Sequence, residues 1–275
     1  MSEQEDRSPL KSWRYGSAGP WVVLVHGGPG AAGYLAPVAR ELADSFRVLE
    51  PFQRPSGGEP LTVARHIADL DQVIASRCGA EPPALVGHSW GAMLALAYAA
   101  AHPGRARSLV LVGCGTFDVA ARTRFRELSE RRLRGAVAAE IDRVKREVTD
   151  RDERLARIGK LMQEAFICDP VPDEPPPGTC DARANQESWQ DMLRLQAEGV
   201  YPAAFAAIRS PVIMMHGADD PHPGRMICAG LEPYLPQLEY VEWQRCGHYP
   251  WLEKAVRERF YAALREWLTR HACPE

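Results

Sequence analysis

Five residues, Gly87-His88-Ser89-Trp90-Gly91, separate the apolar run "ALV" from the alanine-rich stretch "AMLALAYAAAHP". They have the form G-x-S-x-G, in which a tight, strained strand-to-helix turn exposes a serine hydroxyl. At a helix N-terminus the dipole favours the negative charge that develops during attack on a carbonyl. A hydroxyl is a weak nucleophile until a base takes its proton, and the base needs an acid to hold its tautomer. Both partners follow in the chain: Asp220 in "HGADDP" and His248 in "RCGHYPWLEK". Asp219 is the alternative acid, and the G-x-x-D spacing from Gly217 favours Asp220. The glycine-rich "HGGPG", His26 to Gly30, can aim a backbone N–H at an oxyanion. The donors are assigned to the N–H of Gly28 and the N–H of Trp90. A phosphate cradle is the competing reading of that loop, but no G-x-x-x-x-G-K-[ST] appears. Five other histidines (His66, His102, His216, His222 and His271) read as ordinary surface or core residues.

These groups need a scaffold that carries each of them just past the end of a strand. Short apolar runs supply it: "WVVLV", "FRVLEPF", "PALVGHS", "ARSLVLVGCG", "SPVIMMHGADD" and "LEYVEWQRCGH". Runs apolar on both faces, alternating with helical patterns, indicate a parallel sheet buried under helices on each side. "MLALAYAAAHP" is a good helix by propensity and stops at Pro103. "PWLEKAVRERFYAALREWLTRH" reads as a terminal amphipathic helix.

From Thr116 to about Ala207 the strand signal disappears. "FRELSERRLRGAVAAEIDRVKREVTDRDERLARIGKLMQEAF" reads as a run of charged amphipathic helix, "DPVPDEPPPGTCD" as a proline-rich loop and "NQESWQDMLRLQAEG" as a further helix. Residues 116–207 therefore form an α-helical cap inserted into a core made of 1–115 and 208–275. The cap charge reads as solvated helix face.

The 275 residues carry a net charge of −3, with no basic excess for nucleic acid or anionic membrane. No apolar run reaches the roughly 18 residues that span a bilayer. The polar, acidic N-terminus is unlike a secretory signal. Seven scattered cysteines without a CxxC pair suit reduced thiols better than disulfides or zinc. The expectation is a cytoplasmic globular protein.

In this order "HGGPG", "GHSWG", "HGADDP" and "GHYPWLEK" resemble the α/β-hydrolase superfamily, and within it most the proline iminopeptidase branch. In that branch HGGPG and a tryptophan after the nucleophile are typical. The resemblance covers about Trp21 to Cys114 and Ser210 to Trp267. It implies a mostly parallel eight-stranded sheet flanked by helices, with a helical cap inserted after the sixth strand of the family's numbering. It also implies a Ser89–Asp220–His248 triad. The chain departs from the family at "EPFQRPSGG", where many members carry D-x-R-G-x-G-x-S; Arg54 matches the arginine, but a proline follows it. Arg54 and Glu50 are read as a pair. The cap is short for the branch, and none of its carboxylates aligns with those that bind a substrate's α-amino group there. Glu187, Glu127 and Glu130 are the candidates, against a competing reading as exposed helix charge. Tyr249, Trp90 and Trp189 (with Met192 and Leu193) are read as substrate-pocket lining, with core packing as the alternative.

The expected function is a serine hydrolase working through an acyl-enzyme, with no metal or cofactor, on a small-molecule or short-peptide substrate. An aminopeptidase of the proline iminopeptidase type is the first reading and a carboxylesterase on small esters the second. Thioester or lactone hydrolysis and perhydrolysis use the same machinery. A non-catalytic ligand-binding protein of the same fold is the reading from a different class. The sequence leaves the oligomeric state open.

Overall fold

The protein is described from a computed structural model covering residues 10–172 and 180–271. Most of the proline-rich segment, the N-terminal nonapeptide and Cys273 lie outside the described residues. Seven strands form one sheet: β1 (Ser12–Tyr15), β2 (Trp21–Val25), β3 (Arg47–Pro51), β4 (Ala84–His88), β5 (Leu109–Val112), β6 (Val212–Gly217) and β7 (Leu238–Trp243). Their order is β1-β3-β2-β4-β5-β6-β7. Every pairing is parallel except β1 with β3. The sheet is mostly parallel as expected, but among the described residues it has seven strands, not eight. β1 escaped the sequence reading because "SWRY" is a short edge strand with a polar residue at every second or third place.

Every residue of β2, β4, β5 and β6 is buried. Alternate side chains feed two cores, because neighbouring strand residues point to opposite faces. Val23, Val25, Leu85, Leu109 and Met214 pack on one face with α2 (Val63–Cys78) and α3 (Trp90–Ala101). Val22, Leu24, Val86, Val110 and Ile213 pack on the other with α1 (Ala36–Leu42). Truncating a fully buried leucine such as Leu24 or Leu85 to alanine costs about 3 kcal/mol.

The charged run of the insertion is three helices: α4 (Val119–Arg132), α5 (Ala136–Glu147) and α6 (Arg151–Ala165). Gly135, at φ +59°, breaks the first joint, and the Asp150 carboxylate caps the N–H of Glu153 at the second. α7 (Ala182–Ala197) follows, capped by Asp181 through the N–H of Ala184. After β6 comes α8 (Gly224–Leu231), and α9 (Arg257–Arg270) closes the described chain and joins the second core. α9 starts later than the sequence suggests: Pro250–Leu252 is a separate 3-10 turn. Among the described residues no helix is long and apolar enough to cross a membrane.

The parallel registers set Val25 beside Gly87, His88 beside Val112, and Gly217 beside Trp243. The C-terminal ends of β2, β4, β6 and β7 therefore share one sheet edge, where ligands bind in open α/β sheets. The loops after them carry His26–Gly30, Ser89, Asp220 and His248.

Candidate active site

β4 passes into α3 through Ser89, which sits at φ +55° and ψ −122°. A non-glycine residue there is strained and persists only when its surroundings over-determine it. The two flanking glycines are what make the turn fit. A Cβ on Gly87 would lie 2.5 Å from the Gly91 carbonyl oxygen, and one on Gly91 would collide with the carbonyl of Val25. The N–H of Ser89 donates to the Val112 carbonyl at 2.9 Å, which ties the turn to β5.

Asp220 and His248 meet as the spacing anticipates. His248 Nδ1 lies 2.7 Å from Asp220 Oδ2, and both residues are buried. A carboxylate can only accept, so Nδ1 carries the hydrogen and Nε2 is left with a free lone pair. Burial lowers the His248 pKa, with Asp220 opposing it. Burial pushes the Asp220 carboxyl up, but His248, His222 and His216 overcome it and hold the group well below the usual carboxylate range. Asp219 is exposed; it is not the partner of His248, and its carbonyl accepts from Arg132 of α4 at 2.5 Å.

A second hydrogen-bonded chain joins the nucleophile turn to both neighbouring loops. The Gly27 N–H donates to Tyr34 Oη at 2.6 Å, and Tyr34 Oη lies 2.7 Å from His88 Nδ1. His88 Nε2 lies 3.0 Å from the His248 carbonyl. That carbonyl accepts, so His88 bears its hydrogen on Nε2, and its Nδ1 accepts from the Tyr34 hydroxyl. Burial, and then the charge of His248, hold His88 well below the ordinary histidine range. The Gly27 N–H is thus taken up within this chain of hydrogen bonds. His26 is likewise fixed: the Gln53 N–H donates to its Nε2 at 3.1 Å, and burial lowers its pKa to about 4.

The pocket assignments fare unevenly. Tyr249 is half-buried with ring centroids 5.0 Å from His248, 5.1 Å from His88 and 6.4 Å from Tyr34, so it does stand at the site. Trp90, by contrast, is fully buried edge-on to His66 at 5.2 Å; its indole is core, and only its backbone belongs to the turn. Trp189 packs against the same core, and Met192 is fully buried within it. Glu187 is already engaged by the Leu61 N–H at 2.9 Å and by Arg183 at 2.7 Å. Glu127 and Glu130 are exposed, Glu127 pairing with Arg124 of its own helix. Arg54 forms its two-toothed pair with Asp69, not with Glu50; the buried Glu50 meets Tyr15.

Four residues matter that the sequence reading passed over. His222 and His216, taken as ordinary, both approach the Asp220 carboxylate. The signal for His222 was its position two residues after the acid. Tyr34 links two loops, as described. Glu253, taken as part of the last helix, is fully buried beneath the His248 loop. Its Oε1 accepts from the N–H groups of Cys168 and Gly247, and its Oε2 accepts from Asp169. The His248 N–H in turn donates to the Phe166 carbonyl at 2.9 Å. A carboxylate directly after the apolar "PWL" was the only hint. Asp220, His222 and His248 have donor types that also suit a metal, with atoms within 4.8 Å of one another. Their facing atoms are satisfied by hydrogen bonds among themselves, which is the arrangement of an oriented imidazole.

A model of the alpha/beta hydrolase family matches residues 22–263, so the chain belongs to that family. It is 32% identical over 106 residues to a cis-3-alkyl-4-alkyloxetan-2-one decarboxylase of Shewanella oneidensis, covering 36% of this chain and 33% of that one. It is 37% identical over 101 residues to a proline iminopeptidase of Neisseria gonorrhoeae, covering 34% and 32%. These two matches span about a third of the relatives' length. A match along nearly the whole chain is to a pimeloyl-[acyl-carrier protein] methyl ester esterase of Chromobacterium violaceum, 26% identical over 254 residues, covering 92% and 96%. Among solved structures a thermophilic esterase from Thermogutta terrifontis shares the fold at a TM-score of 0.64 and 23% identity, covering 96% and 94%.

Proposed function

We propose that this alpha/beta hydrolase is a serine hydrolase of carboxylic esters with an apolar part beside the scissile bond. The observation that carries the reading is the buried 2.7 Å contact of His248 Nδ1 with Asp220, at the sheet edge that holds the strained Ser89. His248 Nε2 takes the hydroxyl proton as Ser89 Oγ attacks the acyl carbon. The N–H groups of Gly28 and Trp90 receive the oxyanion, and a lost donor of this kind typically costs about 3 kcal/mol of barrier. The alcohol leaves with the proton from His248. A water then gives its proton to His248, its oxygen attacks the acyl-enzyme, and Ser89 Oγ departs with that proton.

Esters are favoured over peptides because the cap carboxylates proposed for an α-amino group are otherwise engaged or exposed. The rings around His248 (Tyr249, Phe166 and, through His222, Phe125) offer an apolar surround instead. The aminopeptidase reading keeps one specific support, the 37% identity of a third of the chain to a proline iminopeptidase. Steady-state hydrolysis of a p-nitrophenyl ester of a short acid, against a prolyl anilide with a free amine, decides between them. Ester cleavage alone supports the proposal. Anilide cleavage that disappears when the amine is acylated would replace it with the peptidase.

A further inference from the structure

We propose that His222 is a positioning residue of this centre, donating its Nδ1 hydrogen to Asp220 Oδ1 and so fixing the carboxylate that holds His248. The inference rests on the reading of Ser89, His248 and Asp220 as one catalytic unit. The Asp220 side chain has no exposure, and three imidazoles approach its two oxygens, His216 Nε2 standing 3.3 Å from Oδ2. Oδ2 meets His248 Nδ1 at 2.7 Å. Oδ1 accepts from His222 twice, from the backbone N–H and from ring Nδ1, each at 2.9 Å. Because the carboxylate only accepts, both rings carry hydrogen on Nδ1 and leave Nε2 bare.

The rings are also stacked on one another. His222 and His248 have centroids 4.5 Å apart with planes 21° apart. Phe125 of α4 stacks on His222 at 4.2 Å and 25°, so His222 is held between the cap and the base. The groups facing it are Asp220 and His216 in its own segment and His248 in the loop after β7. His88 stands behind His248, and Arg132 of α4 binds the Asp219 carbonyl. His216 donates Nε2–H to the His222 carbonyl at 2.9 Å, which secures the backbone of the pair.

Two consequences follow from removing the ring donor. Oδ1 keeps a single backbone donor, so the carboxylate is less firmly oriented. Its charge also falls more fully on His248 and favours the protonated base. Two stacked imidazoles beside one carboxylate cannot both become cations without mutual repulsion, so His222 opposes protonation of His248. Deleting His222 must therefore move the acid limb of the reaction to higher pH.

The test measures the inactivation rate by a fluorophosphonate across the histidine titration range. In that reaction Ser89 Oγ bonds to phosphorus, fluoride leaves and His248 takes the proton. H222F keeps a flat ring for the stack without a donor; H222Q keeps a donor without the stack. The expected result is a roughly tenfold slower labelling of H222F at neutral pH, with its acid limb displaced upward, and a limb nearer native for H222Q. Coincident rates and limbs in H222F and native protein would overturn the proposal. So would a lowered melting temperature with an unmoved limb, which is a purely structural role. If H222F does not fold, H222L, which has no side-chain donor, is read against H222Q in the same way. Native protein left unlabelled, or S89A labelled as fast as native, would instead sink the reading of Ser89 itself.

Discussion

The cap is fastened to the core on two sides, and both fasteners are carboxylates receiving backbone N–H groups. On the side of the His26–Gly30 loop the acids belong to the cap. Asp181, Glu187 and Asp191 of the α7 segment accept from Ser56 at 2.7 Å, Leu61 at 2.9 Å and Val63 at 2.8 Å. On the base side the direction is reversed: Glu253 of the core takes the N–H groups of Cys168 and Asp169 from the cap and of Gly247 beside His248. The first set is spread along a helix and keeps some exposure, 16% at the Glu187 side chain and 11% at that of Asp191, with arginines sharing both acids. The second is one side chain with no exposure. A lost hydrogen bond at a wet site is largely replaced by water, whereas a buried donor left unpaired bears its full desolvation cost. The two fasteners are thus chemically alike and energetically unequal.

On the side of Glu253 the orientation of His248 is at stake. D220N presents an amide to His248 Nδ1, disturbs the tautomer and is expected to lower the labelling rate about ten-thousand-fold, with folding retained on thermal denaturation. E253A leaves the buried Gly247 N–H and the part-buried Cys168 and Asp169 N–H groups without their acceptor; with about 1–3 kcal/mol for the buried donor, urea unfolding should show a loss of at least ~1 kcal/mol. Its labelling rate should also fall, because Gly247 and Phe166 hold the His248 backbone. E253A with native stability and rate would make the two fasteners equal and break the comparison.

Glu50 gives an effect that depends on pH. Burial raises its carboxyl from 4.5 to about 7, the N–H donors of Leu35 and Gly33 opposing that rise. The folded state therefore binds the proton more tightly than the unfolded chain. Stability from this group is fully present below the unfolded value and is lost as pH rises through about 7. The predicted loss is on the order of 3 kcal/mol, and E50Q should flatten it in unfolding curves compared across that range. The smallest effect is expected on the side of the His26–Gly30 loop. D191N retains an acceptor for Val63 at the α2 N-terminus and gives up only charge, about 0.5 kcal/mol, with an unchanged labelling rate.

The sequence placed Ser89, Asp220 and His248 because each sits where an apolar run ends, and such runs are local features. β2 to β7 were legible for the same reason. β1 was not, since its only partner, β3, lies more than thirty residues along the chain and four residues are too few for the alternation in "SWRY" to mark a strand. His222 and Glu253 left only faint local signals, because their contacts come from what the fold brings onto them. Trp90 misled in the opposite way: its place beside the nucleophile is local, but its side chain follows α3 into the core. The Arg54–Glu50 pairing failed likewise, because Asp69, one helix further on, competes for the guanidinium.

The central claim is that Ser89 is the nucleophile. Incubation of native protein and S89A with the fluorophosphonate, followed by intact-mass and peptide mass spectrometry, tests it most directly. One phosphonyl adduct is expected on the Ser89 peptide of native protein, and none on S89A. An adduct on another residue, or equal labelling of S89A, would contradict it.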